Sequence, residues 1–397
     1  MQRREFLNRL AVGAAAAALP GFSFAAPGEA WRNLLILVEL KGANDGLNTV
    51  VPYADPAYQR LRPRLALRRE EVLSLDERTG LHPSLAPLLP LWQAGELALV
   101  QGVGYPAPNL SHFRSIEIWD TASRSEETLV EGWLARAFAQ ARPPREFAAE
   151  GVIIDGQDLG PLAGGARTVA LSNPDQFLRQ ARMAQPPASR RAATSAASLT
   201  HLLKVESDIV QAAVQLGGIG GTGGMTAGGV SLATAFPQGA FGNSVRVAAQ
   251  VLASGAQVAA IRLSLNGFDT HQNQPGVHAN LLRQFAEGLV ALRSALIELR
   301  RWDTTLVMSY AEFGRRAAEN ASMGTDHGTA NAHFALGGRV KGGLHGEAPR
   351  LDRLENGNLP FAVDFRSLYA SVLERWWGMN SAGVLRGRFA PLEILRA

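Results

Sequence analysis

The 397-residue chain has no cysteine, which excludes disulfides, thiolate metal sites and a cysteine nucleophile. Lysine is nearly missing as well, with only Lys41, Lys204 and Lys341 beside an arginine-dominated basic set. No lysine- or arginine-rich run interleaved with aromatics occurs, so nucleic-acid binding is not expected. Net charge is small: formally +4, of which Arg3, Arg4, Arg9 and Glu5 supply half. Beyond the N-terminus no apolar run reaches the roughly 20 residues a membrane-spanning helix needs. What is abundant is ordinary globular material. Hydrophobic residues make up 46% and charged residues 19%, enough for a sizeable core and too apolar for a disordered chain.

The N-terminus departs from that background. Residues 3–7 read RREFL, residues 10–19 are apolar and alanine-rich, and Pro20 and Gly21 end the run. Ser23 and Ala25, with Ala26 as an alternative, provide the small residues of a cleavage site. A charged start, a short apolar run and small residues define a secretory signal peptide, and the paired arginines point to the twin-arginine route. The expected organisation is a signal peptide over 1–25 and a single domain over 26–397. Export by the Tat translocase to the periplasm or beyond follows, with no membrane span left after cleavage. That route carries folded proteins, which suits a chain that takes up a metal or partner in the cytoplasm.

The remainder alternates two kinds of segment. Apolar runs at 31–40, 97–101, 152–155, 258–265, 305–310 and 334–337 read as buried strands. Apolar residues at three- and four-residue spacing predict helices over 84–94, 111–122, 195–216, 244–253, 278–299 and 365–377. Such alternation predicts an α/β fold: a mainly parallel sheet covered on both faces, a three-layer α/β/α sandwich. Residues 217–229 are glycine-rich and uncharged, a loop or linker within the domain. They lack the Gly-Lys-Ser/Thr ending of a phosphate-cradling loop.

Polar residues gather where the predicted strands end, which is where open α/β sheets bind ligands. Asp45 follows the first strand, Ser111 and His112 open a helix after the second, and Asp269, Thr270 and His271 follow the fourth. Glu312, Arg315 and Arg316 follow the fifth, and Asp326 and His327 stand in the next loop. Carboxylates and neutral imidazoles are ligands for zinc, manganese and iron. One or two such ions can clamp a phosphoryl or sulfuryl oxygen. A serine at a helix N-terminus has a positive backbone end beside it. Each residue also has a structural role open to it. Asp45 suits a turn, Ser111 an N-cap, Asp269, Thr270 and Asp326 turns or caps, and Glu312 a surface pair with Arg315 or Arg316. His82, His201 and His278 read as structural or solvated, His333 is open to either reading, and His345 is a weaker ligand candidate. The convergence of the favoured residues on one sheet edge outweighs any of them alone.

Six ordered blocks carry a resemblance: KGANDGLNT at 41–49, PNLSHF at 108–113, GFDTH at 267–271, AEFGR at 311–315, GTDHGTAN at 324–331 and VDFRSLY at 363–369. In this series the chain resembles the domain-of-unknown-function 1501 proteins over essentially its whole length after the signal peptide. That family is similar to the alkaline phosphatase superfamily, with its sulfatases and metal-dependent phosphoglycerate mutases. The resemblance implies an alkaline phosphatase-like α/β/α sandwich with a metal site at the strand ends. It sets Asp45 in place of the first-strand ligand and Ser111 in place of the nucleophile. Asp269 and His271 resemble the aspartate–histidine pair of one metal, though they stand closer in sequence than is usual. Glu312 takes the place of a strand-end aspartate, and His327, with Asp326 beside it, resembles the later distal histidine. Phe313 stands where a further histidine is expected.

Two functions are therefore carried forward. One is an exported metal-dependent hydrolase or transferase acting on a phosphate, sulfate or related ester, either small or part of an envelope polymer. Ser111 would attack, with one ion on Asp45, Glu312 and Asp326 and another on Asp269, His271 and His327. The expected cofactor is one or two divalent ions, zinc first, with manganese, calcium or iron as alternatives. Arg114 or Arg315 would clamp the anion through a bidentate contact. The other is a non-catalytic exported scaffold or binding protein with a degenerate metal site.

Overall fold

A computed structural model describes residues 30–171 and 232–396. The signal-peptide segment, the helix expected over 195–216, His201 and the glycine-rich stretch lie outside the described residues. The core is a nine-stranded sheet. Its strands are β1 (Leu34–Lys41), β2 (Leu97–Gly104), β3 (Ala149–Ile154), β4 (Thr168–Leu171), β5 (Val258–Asn266), β6 (Thr305–Tyr310), β7 (Asn331–Leu336), β8 (Gly343–Gly346) and β9 (Val363–Asp364). The order is β8-β2-β7-β6-β1-β5-β3-β4, with β9 also paired to β2. All pairs are parallel except those of β7, which runs antiparallel to both β2 and β6.

β1 shows why a continuous apolar run becomes the central strand. Leu34, Ile36, Val38 and Leu40 face one apolar layer, while Leu35 and Leu37 face the other, as the two-residue period of a strand requires. The first layer is closed by α3 (Ala240–Ala253) and α4 (Gln274–Glu298), through side chains such as Val245, Leu282 and Phe285. The second is closed by α1 (His112–Thr121), α2 (Trp133–Gln140) and α5 (Phe365–Ala370). There Trp119 stacks on Phe365 at 4.3 Å and Trp133 on Tyr369 at 4.3 Å. Helices therefore cover both faces of a mainly parallel sheet: the α/β/α sandwich. Among the described residues no helix is long and apolar enough to cross a membrane.

The expected strands all fall in this sheet. The helix expected over 84–94 is broken into a 3-10 segment, Pro83–Leu88, and a short α-helix, Leu89–Gln93, because Pro87 inside the run removes a backbone donor. The segment expected as one helix over 365–377 is α5 followed by a π-turn, Ser371–Trp376. The three adjacent strands β6, β1 and β5 end on the same side, and their loops, with the N-terminus of α1, form the site.

Candidate metal centre

Two loops and one helix end bring four donor atoms together. The loop after β5 supplies Asp269 and His271, the loop after β6 supplies His327, and the first turn of α1 supplies His112. His327 Nε2 lies 3.0 Å from His112 Nε2 and 2.9 Å from His271 Nε2. Asp269 Oδ1 lies 3.5 Å from His112 Nε2, 3.1 Å from His271 Nε2 and 3.3 Å from His327 Nε2. Ligand atoms sharing a tetrahedral zinc at about 2.0–2.2 Å stand roughly 3.3–3.6 Å apart. Among the described residues His112, Asp269 and His327 have donor atoms that all lie within 4.8 Å of one another, and His271 joins them through His327 and Asp269.

The outer nitrogens decide which way the lone pairs point. His112 Nδ1 donates to Glu312 Oε1 at 2.7 Å, His327 Nδ1 to the Leu110 carbonyl at 2.9 Å, and His271 Nδ1 faces Asp326 Oδ1 at 3.3 Å. A carbonyl or carboxylate only accepts, so each Nδ1 carries a proton, and a neutral ring held in this way turns its Nε2 lone pair inward. Neutral imidazoles and a carboxylate oxygen so placed are the donor set of a divalent cation. Metal-ligating histidines show this outer-partner arrangement. The donor set thus fits a divalent ion.

Local structure makes the convergence possible. Gly42 has φ +105°, and a Cβ there would stand 2.5 Å from the Asp269 backbone nitrogen; only glycine lets the β1 loop lie against the β5 loop. The segment holding Arg315 pairs with that holding His327, and a Cβ on Gly328 would meet the Arg315 backbone at 2.3 Å. Phe313 packs its ring against His112 and His327 at 4.9 and 4.8 Å, so it walls the centre from beneath the imidazoles.

Electrostatics support the assignment of roles. Burial would raise the Asp269 carboxyl, but the hydrogen bond and charge of Arg315, with His112 and His271, hold it below its ordinary value. The hydrogen bond to Glu312 raises His112, whereas burial lowers His327.

The remaining expected residues sit elsewhere. Asp45 is 1% exposed and caps the 3-10 turn Gly46–Asn48. Its Oδ2 accepts from Arg62 at 2.6 Å and Gln274 at 2.5 Å, and its Oδ1 from the backbone of Leu47 and Asn48. Both oxygens are engaged, and the structure does not bring Asp45 to the histidines. Glu312 and Asp326 stand one layer out, holding imidazoles. Glu312 also accepts from the Gly42 backbone at 3.0 Å, while Asp326 accepts from Asn320 at 3.1 Å. Arg315 is buried and spends its guanidinium on the carbonyls of Gly42, Ala43, Phe268 and Thr325 and on Asp269. It positions Asp269 and has no face left for an anion. Arg114 is tied to Glu117 at 2.8 Å and to the carbonyls of Ser125 and Glu127. Ser111 occupies the N-cap position of α1, but its side chain makes no cap hydrogen bond, and it is exposed.

His112 is the candidate ligand that residue-by-residue reading passed over. Its signal was present: an imidazole beside Ser111, on the first turn of a helix following a strand exit.

The chain is similar in fold to several solved structures. They include the lipoteichoic acid synthase LtaP from Listeria monocytogenes, at 10% identity and TM-score 0.39, covering 91% of this chain and 76% of that one. The PsFucS1 sulfatase from Pseudoalteromonas sp. matches at 10% identity and TM-score 0.40, covering 91% and 70%. The alkaline phosphatase of the Antarctic bacterium TAB5 matches at 11% identity and TM-score 0.32, covering 79% and 94%. No curated protein matches the chain in sequence. The family model described as protein of unknown function (DUF1501) matches residues 78–387, and the chain belongs to that family.

Proposed function

We propose that this chain is an exported, metal-dependent hydrolase or transferase acting on a phosphate, sulfate or related ester, built around one divalent ion, zinc first. The observation that carries the reading is that His112 Nε2 and His271 Nε2 each lie 2.9–3.5 Å from both His327 Nε2 and Asp269 Oδ1. His112, Asp269, His271 and His327 would hold the ion, which when bound supplies Lewis-acid polarisation of an ester oxygen. A single ion replaces the two of the sequence-based expectation, because Asp45, Glu312 and Asp326 are spent on Arg62, His112 and His271.

The chain's own groups supply the rest. The uncapped Ser111 hydroxyl stands next to His112 at the N-terminus of a ten-residue helix, whose positive end favours both an alkoxide and a bound oxyanion. Ser111 is therefore the candidate nucleophile. Phe113, 88% exposed beside His112, offers an apolar contact for the alcohol part of an ester. The Arg-Arg motif at residues 3–4 and the apolar run behind it support export through the Tat translocase to the periplasm or beyond.

The test is a screen of the zinc-loaded protein against p-nitrophenyl phosphate, bis-p-nitrophenyl phosphate and p-nitrophenyl sulfate, beside Ser111→Ala. Turnover of one ester that falls at least a hundredfold in the variant supports the reading. Equal rates in both would replace Ser111 by direct attack of water. No turnover of any ester by a metal-loaded protein would favour the scaffold.

A further inference from the structure

The β8 edge of the sheet carries a polar cavity. β8 and β9 both run parallel along β2, and residues 347–362 leave the sheet between them. Gly102 marks the break, with φ +68°, and its carbonyl accepts from the Ala362 backbone at 2.8 Å. The excursion bounds an open cleft of about 480 Å³, inside the range of small-ligand sites. Glu347, Arg350, Arg353 and Glu355 line it together with Phe361, which is 40% exposed. Arg350 is held by Asp352 through two contacts of 2.9 Å. Arg353 reaches Asp352 only at 3.9 Å, so its donors are unspent. The exposed carboxylates of Glu347 and Glu355 make no hydrogen bond or ion pair.

We propose that this cleft binds a neutral saccharide. Two guanidinium groups present only donors and two carboxylates only acceptors. A ligand that meets both must donate and accept from neighbouring positions, as vicinal hydroxyl groups do. A sugar ring also has an apolar C–H face, which matches the exposed ring of Phe361. A polyanion would meet Glu347 and Glu355, and an apolar segment would strip water from Glu347, Arg353 and Glu355 without pairing them. The excursion is tied by a hydrogen bond to the loop that carries His327. The Leu359 carbonyl, two residues before Phe361, accepts from Thr329 Oγ1, and Thr329 is two residues from His327. The inference stands whether or not the centre cleaves esters.

The full chain is applied to an array of neutral, sulfated and phosphorylated oligosaccharides, and hits are titrated by calorimetry. Binding of a neutral oligosaccharide is expected. It should weaken at least tenfold in Phe361→Ala and in the double variant Arg353→Gln, Glu355→Gln, and stay unchanged in His112→Ala. These cleft side chains are exposed, so the variants keep the fold, which thermal unfolding checks. Absence of any neutral ligand, binding confined to sulfated or phosphorylated glycans, or binding lost in His112→Ala but kept in Phe361→Ala would overturn the proposal.

Discussion

Glu312 makes no contact with the centre of the donor set, yet it fixes one of its members. Its Oε1 accepts the hydrogen bond of His112 Nδ1, and its Oε2 is buried without a hydrogen-bond partner. A carboxylate behind a ligating histidine sets the tautomer and raises ligand basicity, and its loss typically weakens metal affinity about 10–100-fold. Glu312→Gln should therefore lower zinc affinity within that range while leaving far-UV circular dichroism unchanged, as read by chelator competition. Unchanged affinity would remove Glu312 from the centre. At this scale the sequence was legible for Asp269, His271 and His327, because an acid and imidazoles just beyond strands have few packing uses. It was less so for Asp45, Glu312, Asp326 and Arg315. Residue type and strand-end position cannot tell a ligand from a group that holds a ligand, since both need the same chemistry within a few ångströms of each other. Asp45 shows the difference most clearly: Arg62, which takes its charge, is seventeen residues away and carried no motif of its own.

The elements position the centre through backbone contacts between loops. The β1 loop touches the β5 loop at Gly42, and Arg315 from the β6 loop ties Gly42, Ala43 and Phe268 together. Gly42→Ala would force a left-handed residue with a side chain onto the Asp269 backbone. The strain expected is about 1–3 kcal/mol, and Asp269 should be displaced with it. Urea unfolding should show the loss of stability and chelator competition a weaker zinc site. A change in stability without a change in zinc affinity would show that this contact does not position the ligand. The long strands were readable because a strand covered on both faces is a continuous apolar run. β4, β8 and β9 were not, being two to four residues long at or beside the sheet edges, where pairing is decided by distant partners and leaves no periodicity. The start of α4 at Gln274, earlier than its apolar pattern, follows from Pro275 in its first turn.

For the whole molecule, three buried histidines set the acid response. Burial lowers His82 to about 4, and His278 and His333 each to about 3. His82 and His278 lie edge to face near Asp45 and Arg62, with His278 Nε2 at 2.9 Å from Asn44. His333 sits between Ser309 and Trp119. In the unfolded chain these groups protonate near pH 6.5. Between that value and about 3 to 4 the unfolded state therefore binds more protons, and stability falls as pH falls. Each such histidine contributes up to a tenfold loss in the folding equilibrium per pH unit. Asp45, held low by Arg62 against its burial, adds a further loss below its unfolded value. His112, raised by Glu312, gains its proton above the unfolded value, so its stabilising effect is already in place where this fall begins. Denaturant midpoints in chelator from pH 7 to pH 4 should drop steadily; a flat profile would contradict the buried neutral state of these rings.

The most direct measurement is metal content after dialysis, by mass spectrometry, for the wild type, His112→Ala, the double variant Asp269→Ala, His271→Ala, and Asp45→Asn, with folding checked in each. The account predicts close to one divalent ion per chain in the wild type and in any folded Asp45→Asn protein, and loss of the ion in the other two. No metal in the folded wild type, or retention of the ion without His112, would contradict it.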